Sequence, residues 1–218
     1  MGNPAVDSEI PDLVRQKVFA ELAEYPTRTE PYWIQIMGIP AAGKSELVRL
    51  LAEALAFRKP HALAATDEYL AQIPAFKTMM DREQAFRQYD PVATAFGLEV
   101  HHRLIKQKSD VVFERSLAST NYRDLMYDIK RAGYIMIMIK VDVDFNIALQ
   151  RARAREVVTG RHVPESVIAE RVSIVQDRWV EMKKLANVMI ELQNNGDRTI
   201  DDVFAGVVKQ ITDFVRAL

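Results

Sequence analysis

Residues 38 to 45 read Gly-Ile-Pro-Ala-Ala-Gly-Lys-Ser, and their types and spacing suit the grip of a phosphate chain. Gly38 and Gly43 let the backbone bend tightly enough for its N–H groups to face phosphate oxygens. Pro40, Ala41 and Ala42 occupy positions that supply backbone to such a loop. Lys44 is placed to reach the β- and γ-phosphates of a nucleotide, and Ser45 to offer its hydroxyl to Mg²⁺. An apolar run, WIQIM, precedes the loop and a helical pattern follows it. That helix turns its positive end toward the anion. At ordinary residue frequencies four fixed positions arise by chance in about one such chain in a hundred. Phosphate binding alone does not separate a kinase from a switch GTPase or an ATP-driven machine.

Other residues narrow the choice. The guanine-reading tetrapeptide Asn-Lys-x-Asp does not occur, and the one motor-like strand, VVFE, ends in a single Glu114 followed by Arg115. A small-molecule kinase needs a base for the substrate hydroxyl and cations for the charge that spreads over the transferred phosphoryl group. Asp67 follows the second apolar run, which predicts a place beside the phosphate loop; the same position suits a helix N-cap equally well. Arg151, Arg153, Arg155, Arg161 and Arg171 fall within about six helical turns. Arg151 and Arg155, at i and i+4, share one helix face. They read either as phosphate ligands on a closing lid or as a solvated face paired with Glu156, Glu165 and Glu170.

The elements that must position these groups alternate. Residues 8–25 read as an amphipathic helix that buries Leu13, Val14, Val18, Phe19 and Leu22. Strands are expected at 34–37, 61–66, 110–114, 134–141 and 186–192. Helices are expected at 46–57, across a Pro-punctuated region from about 69 to 108, at 122–133 with Gly133 as C-cap, through 144–184 with a break at TGRHVP, and at 200–218. YIMIMIKV is apolar throughout and suits a strand buried on both faces. This order predicts an α/β three-layer sandwich of about five mostly parallel strands with helices on both faces, its ligands at the carboxyl ends of the strands.

The bulk composition excludes other classes. With 218 residues and 49% hydrophobic content the chain suits one globular domain. A formal net charge of -1 lacks the basic excess of a nucleic-acid binder. There are no cysteines, hence no disulfide or thiol chemistry, which fits a cytoplasmic protein. The first residues carry no secretory pattern, and no apolar run is long enough to span a membrane. The adjacent His101 and His102 are expected at the surface. Met79, Met80 and the IMIM run are expected in the core, with Trp33 and Trp179 as packing residues.

Four ordered stretches resemble the zeta toxin family, kinases of bacterial toxin–antitoxin systems: GIPAAGKS, TDEYLAQIPAF, DVVFERS and ALQRARAREVVTGRHVPESVIAERV. The resemblance spans roughly residues 10–175. It implies one P-loop kinase domain over 1–218, with 1–30 as an N-terminal helical extension and 144–184 as an arginine-bearing lid. It implies transfer of the ATP γ-phosphate, with Mg²⁺, to the 3′-hydroxyl of a nucleotide sugar, UDP-N-acetylglucosamine. Asp67 would be the base, with Lys44, Arg151 and Arg155 at the phosphates and Arg171 beside them. Ser45 would hold Mg²⁺, and Glu114, Ser116 and Tyr69 would face the acceptor. A separately encoded antitoxin is the implied partner. The chain departs from the family at Ile73, Arg115, Ser116, Ala118 and Arg161, mostly on the acceptor side. Kinases of other small molecules, and a nucleotide-binding module without catalysis, stay open as alternatives.

Overall fold

Five parallel strands form one sheet in the order β2-β3-β1-β4-β5. They are β1 (Tyr32–Met37), β2 (His61–Leu63), β3 (Val111–Glu114), β4 (Ile135–Asp142) and β5 (Val188–Gln193). The computed structural model describes residues 10–63, 67–159, 163–196 and 200–218. The helices are α1 (Asp12–Leu22), α2 (Lys44–Ala54), α3 (Asp67–Leu70), α4 (Pro74–Thr78), α5 (Arg82–Gln107), α6 (Thr120–Arg131), α7 (Phe145–Thr159), α8 (Glu165–Met182) and α9 (Ile200–Arg216). A 3₁₀ turn, Ala56–Arg58, continues α2.

Strand side chains alternate between faces, and the core divides accordingly. Trp33, Met37, Phe113, Met136 and Met138 pack with Phe96 and Leu104 of α5 and with Tyr122 and Leu125 of α6. Ile34, Ile36, Val112, Ile137 and Ile139 pack with Leu47 and Leu51 of α2 and with Phe204 and Ile211 of α9. Both faces are covered, which is why β1 and β4 read as continuous apolar runs. Helix α8 joins both groups, through Ile168 and Val175 on one side and Trp179 and Met182 on the other.

The expected elements are present with several corrections. Pro11 precedes the first helix, which starts at Asp12, and Leu13 is 77% exposed rather than buried. The second strand ends at Leu63, and the rest of HALAAT lies outside the described residues. Strand β3 lies between β2 and β1, so β2 does not pair with the strand that leads into the phosphate loop. Order within a sheet is a long-range property that local pattern does not carry. Met80 is exposed rather than packed in the core. His101 is fully buried, its ring 4.2 Å from Phe113 and 5.3 Å from Trp33 between centroids. Only His102 lies at the surface, because adjacent helical residues point apart.

The buried histidines set a pH limit on stability. Neither ring nitrogen of His61 or His101 has a hydrogen-bond partner among the described residues. Burial pushes His61 down to about 4 and His101 well below its ordinary value. In the unfolded chain both would protonate near the ordinary value of about 6.5. The unfolded state therefore binds more protons between the two values, and stability falls as pH drops through that window. His61 alone accounts for a loss of about 3 kcal/mol on going from pH 7 to pH 4. Urea titrations at several pH values check this; replacing His61 by Gln should flatten the dependence.

Candidate functional site

The phosphate loop leaves β1 at Gly38, where φ is +154°. A Cβ there would lie 2.5 Å from the Val141 carbonyl oxygen, so the close approach of β4 excludes any side chain. Gly43 has φ +95°, and a Cβ there would meet the Asn194 carboxamide at 2.6 Å. Helix α2 then starts at Lys44. Its first-turn N–H groups and positive end face the loop. The Lys44 ammonium donates to the Ile39 carbonyl at 2.9 Å.

Alternation decides what β3 contributes. Glu114 is in register with Ile36 and shares the face of Val112, which α2 covers. Its carboxylate therefore meets the first turn of α2, and Ser45 Oγ donates to Glu114 Oε1 at 2.9 Å. Glu114 is 5% exposed. Burial raises its pKa, while Lys44, the Ser45 hydrogen bond and Arg155 pull it down. Its Oε2 makes no hydrogen bond among the described residues. A serine hydroxyl and a buried carboxylate are hard oxygen donors, a pair that fits Mg²⁺ held jointly with phosphates.

Arg115 turns to the opposite face. Its Nη2 donates to Thr94 Oγ1 of α5 at 2.8 Å, its guanidinium lies 4.5 Å from the Tyr122 ring centroid, and Asp90 is 4.0 Å away. Asp90 and Thr94 flank Pro91, the proline inside α5. Pro91 cannot donate a backbone hydrogen bond to the preceding turn, so α5, although continuous from Arg82 to Gln107, lacks one ladder bond where it borders the cleft.

Arginines close the other side. Arg151 and Arg155 of α7 and Arg171 of α8 line the same cleft as the loop. Arg151 Nη1 donates to the Asn194 carbonyl at 2.9 Å. Burial lowers the Arg155 pKa, and Glu114 acts in the opposite direction. Arg153 points away and pairs with Glu165 at 3.2 Å, so it belongs to the solvated face. Arg161 lies outside the described residues. Helix α8 is fastened to the sheet by Lys140, whose ammonium reaches Gln176 at 3.1 Å, Asp142 at 3.0 Å and Glu191 at 2.9 Å.

The resulting cleft has a volume of about 760 Å³. It brings together Gly38, Pro40, Ala41, Gly43, Lys44, Ser45, Glu114, Ser116, Arg151, Arg155 and Arg171. Two expected residues stand apart from it. Ala42 is buried, with its carbonyl accepting from Asn194 Nδ2 at 2.8 Å. Tyr69 is buried edge-on against Phe96, with centroids 4.8 Å apart. Asp67 begins α3, and its side chain lies outside the described residues. Asp90, Thr94 and Asn121 border the cleft without having been expected there. The one local signal for the first two was the Asp-Pro step in a helical stretch.

A family model for zeta toxin matches residues 15–201. Among solved structures the chain is similar to one from the PezAT chromosomal toxin–antitoxin system of Streptococcus pneumoniae. That match has 12% identity and a TM-score of 0.67, and it covers 95% of this chain and 94% of that one. Shikimate kinase from Acinetobacter baumannii matches at 19% identity and a TM-score of 0.54, over 87% of this chain and 94% of that one. A gluconokinase from Sinorhizobium meliloti matches at 15% identity and a TM-score of 0.52, over 87% and 98%. No curated protein matches the sequence. Among the described residues no helix is long and apolar enough to cross a membrane. At these identities the solved structures speak for the fold, which is that of the P-loop kinases. The family model covers most of the 218 residues, and the chain belongs to the zeta toxin family.

Proposed function

We propose that the chain is an ATP- and Mg²⁺-dependent kinase acting on a hydroxyl of a small molecule, with UDP-N-acetylglucosamine as the acceptor. The observation that carries this reading is the composition of one cleft. Lys44, Ser45 and Glu114 lie at its floor, arginines of α7 and α8 on one side, and Asp90, Arg115 and Ser116 on the other. The arginine side suits the triphosphate, and the side bordered by α5 suits the acceptor.

The acceptor oxygen attacks the γ-phosphorus as the bond to the β,γ-bridging oxygen breaks, and ADP departs. Lys44 and the arginines hold the phosphates and the charge that spreads over the transferred group. Mg²⁺, held by Ser45 with Glu114 beside it, would supply further charge neutralisation. Asp67 accepts the hydroxyl proton. It follows β2, and two strand spacings, about 10 Å, separate β2 from β1. That span leaves room for an acceptor between the base and the phosphates. The buried Glu114 is the competing base, and Asp67→Asn compared with Glu114→Gln distinguishes the two. ATP as co-substrate puts the reaction in the cytoplasm. A separately encoded antitoxin would act by covering this cleft.

Arg115 is assigned to the acceptor. Hydrogen bonds to charged groups contribute about 1.5–3 kcal/mol, so Arg115→Ala should raise KM for the acceptor about 10- to 100-fold while KM for ATP stays within about threefold. Steady-state kinetics with each substrate varied in turn check this. The reading as a whole is tested by incubating the protein with Mg²⁺-ATP and UDP-N-acetylglucosamine and analysing products by mass spectrometry. A phosphorylated sugar nucleotide and ADP are expected. Unchanged UDP-N-acetylglucosamine would refute the acceptor assignment.

A further inference from the structure

Asn194 follows β5 and is 1% exposed. Its backbone N–H donates to the Asp142 carbonyl at 2.8 Å, which extends the β4–β5 ladder and fixes where its side chain can go. The carboxamide Nδ2 donates to the Ala42 carbonyl inside the phosphate loop at 2.8 Å. The Asn194 carbonyl accepts from Arg151 Nη1 at 2.9 Å, and Oδ1 faces Arg151 Nη2 at 3.5 Å. One buried residue thus touches the loop with its donor and an arginine of α7 with its acceptors.

The chemistry of the neighbours sets the amide's orientation. A carbonyl can only accept, and a guanidinium can only donate. Nδ2 must therefore face Ala42, and Oδ1 must face Arg151. Both acceptors offered to Arg151 are neutral. They orient the guanidinium without cancelling its charge, as a carboxylate in that place would. The fit to the loop is also tight, because a Cβ on Gly43 would come within 2.6 Å of Nδ2.

We propose that Asn194 is a positioning residue that couples the α7 arm to the phosphate loop, holding Arg151 where it meets the phosphates of ATP. The inference rests on the nucleotide reading of the loop. Mg²⁺-ATP affinity of the full chain, measured by calorimetry, tests it in a double-mutant cycle. Asn194→Ala and Arg151→Ala should each weaken binding about 10-fold. The double variant should be little weaker than Arg151→Ala, because Asn194 acts on ATP through Arg151: Asn194→Ala removes Oδ1 and the Nδ2 bond to Ala42, while the backbone carbonyl that accepts from Nη1 remains. Asn194→Asp keeps the shape but loses the donor to Ala42 and adds an anion beside Arg151, so it should weaken binding at least as much as Asn194→Ala.

Wild-type affinity in Asn194→Ala with only a lowered melting temperature would make the residue structural and overturn the coupling. Additive effects in the cycle would do the same. Should the alanine variant not fold, Asn194→Asp decides: a folded aspartate variant that binds ATP like wild type overturns the proposal. A wild-type chain that does not bind Mg²⁺-ATP refutes the nucleotide reading itself and this inference with it, and so differs from failure of the coupling alone.

Discussion

On the proposed reading, Lys44→Ala should lower phosphoryl transfer by about 10³-fold or more and leave the fold intact. Removing a single preorganised donor at a site of developing charge costs about 10²–10³ in rate, and Lys44 adds a full positive charge to that role. The lysine also acts on Glu114, where its charge opposes the effect of burial. Without it the pKa of the buried carboxyl rises further. The stability cost should be small, because the side chain leaves the head of α2 for the cleft and its ammonium meets the Ile39 carbonyl. Rate and melting temperature, measured on the same preparation, separate the two effects. A large rate loss with a melting temperature within a few degrees is expected.

On the proposed reading, Asp67→Asn should lower kcat by about 10²–10⁴-fold with KM for ATP nearly unchanged. Asparagine keeps the shape and can still hydrogen-bond the acceptor hydroxyl, but it cannot take its proton. A module that binds ATP only to set its shape would lose nothing from the change. The pH profile adds a second readout. Glu114 is a carboxyl raised by burial, and it must be ionised to accept from Ser45 with full charge. Activity should therefore fall on the acid side at a pH above the ordinary carboxylate range. If Asp67→Asn keeps that acid limb at low residual rate, the limb belongs to Glu114. If Glu114→Gln causes the larger loss of kcat, the base has been assigned to the wrong carboxylate.

Much of this arrangement can be read along the chain. The loop from Gly38 to Ser45 carries its own context, since a strand must end and a helix begin there. The apolar run from Ile135 to Ile139 identifies a central strand. Counting by twos along Val111 to Glu114 even assigns Glu114 to one face of the sheet, although not to the helix that covers it. What stayed hidden depends on packing between distant segments. Asp90 and Thr94 reach the cleft only because α5 lies against β3 and α6. Asn194 reads as an ordinary turn residue until the loop and α7 are both brought to it. His101 is indistinguishable from His102 by composition, and only the rotation of α5 puts one inside. Leu13 fits a helical stripe, yet the helix presents it to solvent because α1 packs through Val14, Val18, Phe19 and Leu22. Tyr69 sits in a stretch resembling the family's, and its ring nevertheless completes the core against Phe96.

The most direct test of the kinase reading follows the γ-phosphate itself. Mg²⁺-ATP labelled at the γ position is incubated with the protein and a small-molecule extract, in parallel with Lys44→Ala, and the labelled products are separated. The account predicts label on a small-molecule acceptor with wild type and none with Lys44→Ala. Label that appears only as inorganic phosphate, or that transfers equally well with Lys44→Ala, would contradict it.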